Sequence, residues 1–257
     1  MRFIVRSVST LADKGEARDE ALPKGALPHP FLPPEPALTV GNVSPTHVGV
    51  LNKYPVVAHH LLIVTRQFVP QEELLDAADF AALAWCLAEI DGLGFYNGGR
   101  DAGASQTHKH LQLVPLPLGG RPWDVPMEAL FDTWSARGAV LKLLQLRFKH
   151  AFAMLDPKLY DDPPQAAERL HELYSAQMEA IGVAGPDDRQ QLGPYNLLVT
   201  RRWMLAIPRS KEKFASISIS ALGFAGSLFV RNDRDMASLR EAGPMNVLRA
   251  VAIPDSR

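Results

Sequence analysis

The stretch Phe95-Tyr96-Asn97-Gly98-Gly99-Arg100-Asp101-Ala102-Gly103-Ala104-Ser105-Gln106-Thr107-His108-Lys109-His110-Leu111-Gln112-Leu113-Val114 reads as a strand, a glycine-rich loop and a second strand. Side chains on a strand alternate between faces. His108, His110 and Gln112 therefore share one face, while Leu111 and Leu113 point at the core. Glycine lets a loop turn tightly and approach a ligand, and successive backbone N–H groups make an anion-binding nest. Imidazole is largely unprotonated near neutral pH and can attack phosphorus. Two imidazoles and an amide beside such a loop point to covalent nucleotidyl transfer through histidine. A His-x-His pair also suits a metal site, or the polar side of a half-buried strand. Zinc needs a third protein ligand. Neither a Cys-x-x-Cys nor a His-Glu-x-x-His stands nearby to supply one, so the pair is not read as a metal site.

Outward from this motif, Val48 to Tyr54 and Leu61 to Thr65 read as paired strands, with His59-His60 in their connection and no chemistry assigned to them. Lys53, among apolar neighbours, is either at a strand end in water or aimed at an anion. Gln71-Glu72-Glu73 suits a helix N-terminus. Phe80, Leu83, Ala84, Leu87 and Ile90 then recur at helical spacing, predicting a helix to Asp91-Gly92 with Trp85 and Cys86 in its packing. Beyond the motif a short helix is predicted over Met127 to Trp134. A strand is predicted over Leu141 to His150, where Leu144, Leu146 and Phe148 alternate. A long helix is predicted over 164–182, a hairpin over Tyr195 to Thr200 and Trp203 to Pro208, and a last helix near Asp235 to Ala242. The chain starts as a short strand that continues into a charged helix through residue 20. Six prolines between residues 22 and 36 exclude a helix or a central strand and predict an extended strap or linker.

At 257 residues the length fits one large domain, or one domain with an extension. A net charge of −1 excludes the basic footprint of a nucleic-acid binder. No apolar run approaches the ~18 residues of a membrane span, and the start lacks the apolar run of a signal peptide. One cysteine, Cys86, rules out an internal disulfide and fits a reducing compartment. The chain is therefore expected to be cytoplasmic.

The motif resembles the His-x-His-x-Gln signature of the diadenosine tetraphosphate phosphorylases (ATP adenylyltransferases), in the transferase branch of the histidine triad superfamily. Further blocks match in the family's order. Leu51-Asn52-Lys53-Tyr54-Pro55-Val56-Val57 and Leu62-Ile63-Val64-Thr65 resemble its early strand pair. Tyr195-Asn196-Leu197-Leu198-Val199-Thr200, Trp203-Met204 and Ile207-Pro208-Arg209-Ser210-Lys211 resemble its later one. Ser220-Ala221-Leu222-Gly223-Phe224-Ala225-Gly226-Ser227-Leu228-Phe229-Val230 resembles its closing segment.

The resemblance implies an α+β fold, a histidine-triad-like antiparallel sheet with packed helices. One catalytic domain would span 1–257, with an N-terminal extension (1–47) carrying the strap (22–36). A core (48–150) would hold the motif, and a C-terminal part (151–257) would complete the nucleotide site. The resemblance makes His110 the nucleophile, forming a histidine–AMP intermediate, with His108 orienting the site and Gln112 donating to a phosphate oxygen. Superfamily hydrolases carry a third histidine at the place of Gln112. A neutral amide cannot exchange protons as imidazole does, so phosphate rather than water is expected to take the AMP. Diadenosine tetraphosphate and inorganic phosphate would give ATP and ADP, reversibly. The implied substrate contacts are Lys14, Asn52, Lys53, Asn97, Gly103, Ala104, Ser105, Gln106, Ser220, Ala221, Leu222, Ser227 and Arg231. On residues alone, Lys14 reads as a solvated surface lysine. Ser220 stands where the family pattern has asparagine. Arg231 stands where it has lysine, a planar fork in place of a point charge. Magnesium is implied only by the likeness and by polyphosphate chemistry; no protein metal site is expected, and the chain is expected as a monomer or small homo-oligomer. Two other functions fit parts of the pattern. One is a uridylyltransferase acting on sugar phosphates, exposed by activity with uridine substrates. The other is an adenine-nucleotide sensor, exposed if His110→Ala behaves as wild type.

Overall fold

The structure, a computed structural model, describes residues 2–8, 30–119, 124–131, 140–185 and 187–255. Its strands and helices, in chain order, are β1 (Ile4–Ser7), β2 (Thr39–Asn42), β3 (His47–Leu51), β4 (Leu61–Thr65), α1 (Ala77–Glu89), β5 (Gly92–Gly98), β6 (His110–Pro115), β7 (Ala151–Met154), α2 (Pro163–Ile181), β8 (Tyr195–Val199), β9 (Trp203–Pro208), β10 (Lys213–Phe214), β11 (Ile217–Ser218), α3 (Ala221–Phe224), β12 (Ser227–Val230), α4 (Asp233–Ala242) and α5 (Pro244–Val251). Among the described residues, eight strands form one antiparallel sheet in the order β2-β3-β4-β6-β5-β8-β9-β7. This is the expected α+β architecture. β1 pairs in parallel with β12 outside that sheet.

Alternation along the strands gives the sheet two apolar faces. Ile63, Tyr96, Leu111, Leu113, Leu197 and Met204 face α1 and α2. Leu93, Phe95, Val114, Leu198, Leu205 and Ile207 face the C-terminal elements. On that second face, toward the β2 edge, Val48, Val50, Leu62 and Val64 gather under Phe31 of the proline-rich strap and Leu38 just after it. His110 pairs with Val64, and Gln112 with both Leu62 and Phe95. The motif thus lies between the strap cluster and the C-terminal cluster.

The helices begin where their caps are. Asp76 accepts from the backbone N–H groups of Ala78 and Asp79, and Asp79 answers on the Asp76 N–H, closing a capping box. This capping places the start of α1 after Gln71-Glu72-Glu73, where the sequence suggests a helix N-terminus. Pro163 opens α2 and left-handed Gly182 closes it. Four expectations are corrected. Where it is described, the strap does not run extended: it turns between bridged Phe31 and Pro34 and enters a 3-10 turn at Pro36–Leu38. The strand predicted over 141–150 lies instead at Ala151–Met154, with Leu141 alone bridging to Phe152. Leu146 and Phe148 are buried but Leu144 is 75% exposed, and the His150 ring binds the Leu143 N–H and the Phe148 carbonyl in a local turn. Trp85 is 47% exposed and not part of the packing. The final helix is followed by a second, α5, which Pro244 starts after Gly243. Cys86 is buried as expected. The charged helix expected before residue 20, the strap up to residue 29, and the part of the 127–134 helix from 132 on lie outside the described residues; a 3-10 turn covers Pro126–Leu130. No helix among the described residues is long and apolar enough to cross a membrane.

Candidate active site

The β5–β6 ladder runs from Gly92↔Pro115 to Phe95↔Gln112 and stops there. Beyond it the strands part, and the side chain of Gln71 fills the gap. Its Nε2 donates to the carbonyls of Asn97 (2.9 Å) and His110 (3.4 Å), and its Oε1 accepts from the His110 N–H (3.0 Å). The glycine loop opens from this fork. Its Gly103 has φ +93°, and a Cβ there would lie 3.1 Å from both the Ile219 oxygen and the Ser220 Cα. Only glycine lets the loop sit against the closing segment at this point.

His110 is 4% exposed. Its Nδ1 lies 2.8 Å from the His108 carbonyl, which can only accept. Nδ1 therefore carries the ring proton, and Nε2 holds the lone pair. The His108 Nε2 lies 2.9 Å from the Thr65 carbonyl and 3.1 Å from that of Gln67. Donating to these carbonyls, His108 ties the motif to the end of β4. Phe31 packs on both rings, with centroids 5.7 Å from His108 and 5.5 Å from His110. Lys109, between the two histidines, points to the helical face. Its Nζ reaches Asp79 at 2.7 Å, and His47 Nε2 lies 3.0 Å from the same carboxylate. Burial pushes the Asp79 carboxyl up, but the bonds from His47 and Lys109 outweigh it and hold the group below the usual carboxylate range.

Gln112 Oε1 lies 3.0 Å from His60 Nε2, and His60 Nδ1 lies 3.1 Å from Asn52 Nδ2. Asn97 Oδ1 accepts from Asn196 Nδ2 (2.8 Å) and from the Ala221 N–H (2.9 Å). Behind this pair Arg209, 2% exposed, donates to Asn196 Oδ1 and to the carbonyls of Ala102 and Ile219. Burial lowers its pKa to about 9. Arg209 fastens the glycine loop, β8 and the closing segment to one another.

Of the residues picked from sequence, the structure thus gathers Asn52, Asn97, Gly103, His108, His110, Gln112, Ser220 and Ala221 around the fork. Ala104 is buried in the loop, Ser105 exposed and Gln106 half-buried, while Leu222 is buried in the C-terminal cluster. Others are engaged elsewhere. Lys53 is exposed and pairs with Glu35 at 2.9 Å. Ser227, on β12, accepts from Arg6. Arg231 donates to the Ser216 carbonyl at 3.0 Å and lies 3.5 Å from Asp235. Lys14 lies outside the described residues. Sequence reasoning passed over Phe31, His60, Gln71, Asn196 and Arg209. The resemblance quoted Asn196 and Arg209 in its later block, so a signal existed for those two. Nothing in the sequence distinguishes His60 from His59, or Gln71 from any helix-start residue.

Two family models match successive parts of the chain. One, described as the Ap4A phosphorylase N-terminal domain, matches residues 1–133. The other, the ATP adenylyltransferase C-terminal domain, matches residues 144–254. Diadenosine 5',5'''-P1,P4-tetraphosphate phosphorylase 2 of Saccharomyces cerevisiae is 27% identical over 238 residues, covering 82% of this chain and 71% of that protein. Protein APA1 of the same yeast is 24% identical over 272 residues, covering 94% and 79%. Among solved structures, yeast Ap4A phosphorylase Apa2 shares the fold with a TM-score of 0.77 at 22% identity, covering 98% of this chain and 86% of that one. Its complex with Ap4A gives 0.76 at 23%, with the same coverage. With both of the family's domains matched in order along one sheet, the chain belongs to the Ap4A phosphorylase (ATP adenylyltransferase) family.

Proposed function

We propose that this protein phosphorolyses diadenosine tetraphosphate with inorganic phosphate to ATP and ADP, reversibly, through an AMP carried on His110. The observation that supports the reading is the His110 ring, whose Nδ1 lies 2.8 Å from the His108 carbonyl, a contact that puts the proton on Nδ1 and the lone pair on Nε2. In the first step the Nε2 lone pair attacks an α-phosphorus. The new P–N bond forms as the P–O bond to the leaving triphosphate breaks, and ATP departs. The ring keeps its Nδ1 proton, and the His108 carbonyl stabilises the positive charge that develops. In the second step a phosphate oxygen attacks the same phosphorus, the P–N bond breaks, and ADP leaves with His110 neutral again.

Gln112 serves as a donor to a non-bridging oxygen and takes no proton, so nothing at that position activates water. Family membership and the yeast relative named for this activity support the substrate assignment. Asn97, the loop from Gly103 to Gln106, and Ser220 to Leu222 are proposed to hold the nucleotides, with Lys14, Asn52, Lys53, Ser227 and Arg231 as further contacts. The Lys53–Glu35 pair is exposed, and such pairs are weak in water, so a polyphosphate can compete for Lys53. Among the described residues no group of three or more His, Cys, Asp or Glu side chains could hold a metal ion. No step above depends on a magnesium ion.

The test is intact mass after mixing with diadenosine tetraphosphate without phosphate. Wild type should gain one AMP and discharge it to ADP on adding phosphate, while His110→Ala should gain none. An unmodified wild type that binds the dinucleotide and releases no free AMP would overturn the reading.

A further inference from the structure

We infer that His60 is a positioning residue that fixes which end of the Gln112 amide faces the reacting phosphate. The inference rests on the proposal that His110 carries AMP and Gln112 meets the phosphate.

An amide has two chemically opposite ends on nearly the same shape, one accepting and one donating. Only the donating end helps an anion, so a glutamine beside a phosphate must be oriented by something else. A chain of hydrogen bonds with one allowed direction does this. It starts at a backbone N–H, whose polarity is fixed. The Tyr54 N–H donates to Asn52 Oδ1 at 3.0 Å. That turns Asn52 Nδ2, which can only donate, toward His60 Nδ1 at 3.1 Å. Nδ1 must therefore be the bare nitrogen of the ring. The proton then sits on Nε2, which donates to Gln112 Oε1 at 3.0 Å. With its oxygen engaged, Gln112 presents its NH2 to the phosphate.

Reversing Gln112 would set its NH2 against the His60 N–H, donor against donor, and its oxygen against an anion. The ring itself is held. His60 is 4% exposed, its carbonyl accepts from the Asn52 N–H at 2.8 Å, and it packs on Phe95 with centroids 5.6 Å apart. His60 thus acts through Gln112, at one remove from the substrate.

The experiment measures the single-turnover rate of His110 adenylylation, and substrate affinity, for wild type, His60→Phe, His60→Gln, Gln112→Ala and the double variant His60→Phe/Gln112→Ala. Loss of one donor to a developing anion costs about a hundredfold in rate. His60→Phe should lose about tenfold or more in rate with a smaller change in affinity. His60→Gln, which restores a donor near Nε2, should recover most of that loss. In the Gln112→Ala background the His60→Phe change should add nothing. Additive losses, or a His60→Gln variant as slow as His60→Phe, would overturn the inference. Nitrogen-15 NMR of the wild-type ring gives an answer independent of variant folding. The inference requires the Nε2–H tautomer of His60, and an Nδ1–H tautomer would sink it. Failure of the His110–AMP reading is distinguishable, because wild type itself would then form no adduct.

Discussion

Lys109 stands between the two histidines of the motif yet belongs to a different part of the protein. Its ammonium is buried against Asp79, which also meets His47. Removing Lys109 takes the ammonium from the buried Asp79 carboxylate and leaves it His47 and the Asp76 N–H; breaking a buried pair costs at most about 3–5 kcal/mol. Lys109→Met should therefore lower stability by up to that amount in urea titration, and activity per folded molecule should fall far less. The pH dependence follows from the sign of the Asp79 shift. Its folded pKa is depressed, so its contribution is fully present above the unfolded value of about 3.9 and is lost as pH falls through the folded one. Asp79→Asn should flatten the acid limb of a stability-versus-pH profile; a limb of unchanged slope would remove Asp79 from the account. At this scale His110 and Gln112 were legible because strand alternation and the glycine loop put them in one context. His60 was not, because its role depends on a bond across 52 residues to Gln112, and no local pattern encodes that bond.

The strap, whose described part starts at residue 30, was legible as neither helix nor sheet strand, but its turn at Phe31–Pro34, its 3-10 turn at Pro36–Leu38 and its place beside the site were not legible. Proline content excludes regular elements without saying how the segment bends or what it lies on. Phe31, 8% exposed, packs on the rings of His108 and His110 and covers them from water. Phe31→Ala should leave adduct formation intact but increase, several-fold, the fraction of histidine–AMP that ends as free AMP. Product analysis by chromatography, with limiting phosphate, measures that partition; an unchanged ratio of AMP to ADP would deny the strap this shielding role. The paired strands at residues 47–51 and 61–65 and the hairpin at 195–208 were legible because their apolar runs and turn residues agree. The 141–150 segment was misread because an alternating run is the same whether its backbone pairs or turns. There the His150 side chain takes hydrogen bonds that a ladder would have used.

Over the whole molecule, the two matched family segments share one sheet. The first supplies β2, β3, β4, β6 and β5, the second β8, β9 and β7, and they join where β5 pairs with β8 from Gly94↔Val199 to Gly98↔Tyr195. The Asn97–Asn196 side-chain bond lies on that seam, and α2 from the second segment packs beside α1 from the first. Unfolding should accordingly be a single transition, with far-ultraviolet circular dichroism and tryptophan fluorescence coincident in urea. Separated curves for the two probes would mean that the segments hold independently. That the sheet continues across the seam could not be read from the strand patterns, which specify pairing within hairpins far better than pairing between distant ones.

The fork at Gln71 carries one more consequence. Where the ladder ends, β5 and β6 are joined by three bonds to a side chain, one of them stretched to 3.4 Å. A side chain can swing where a backbone ladder would have to unzip. His110 stays in the ladder with Val64 of β4, so its tie to β5 runs through the Gln71 amide alone, and a change to that one side chain reaches the strand that carries the motif.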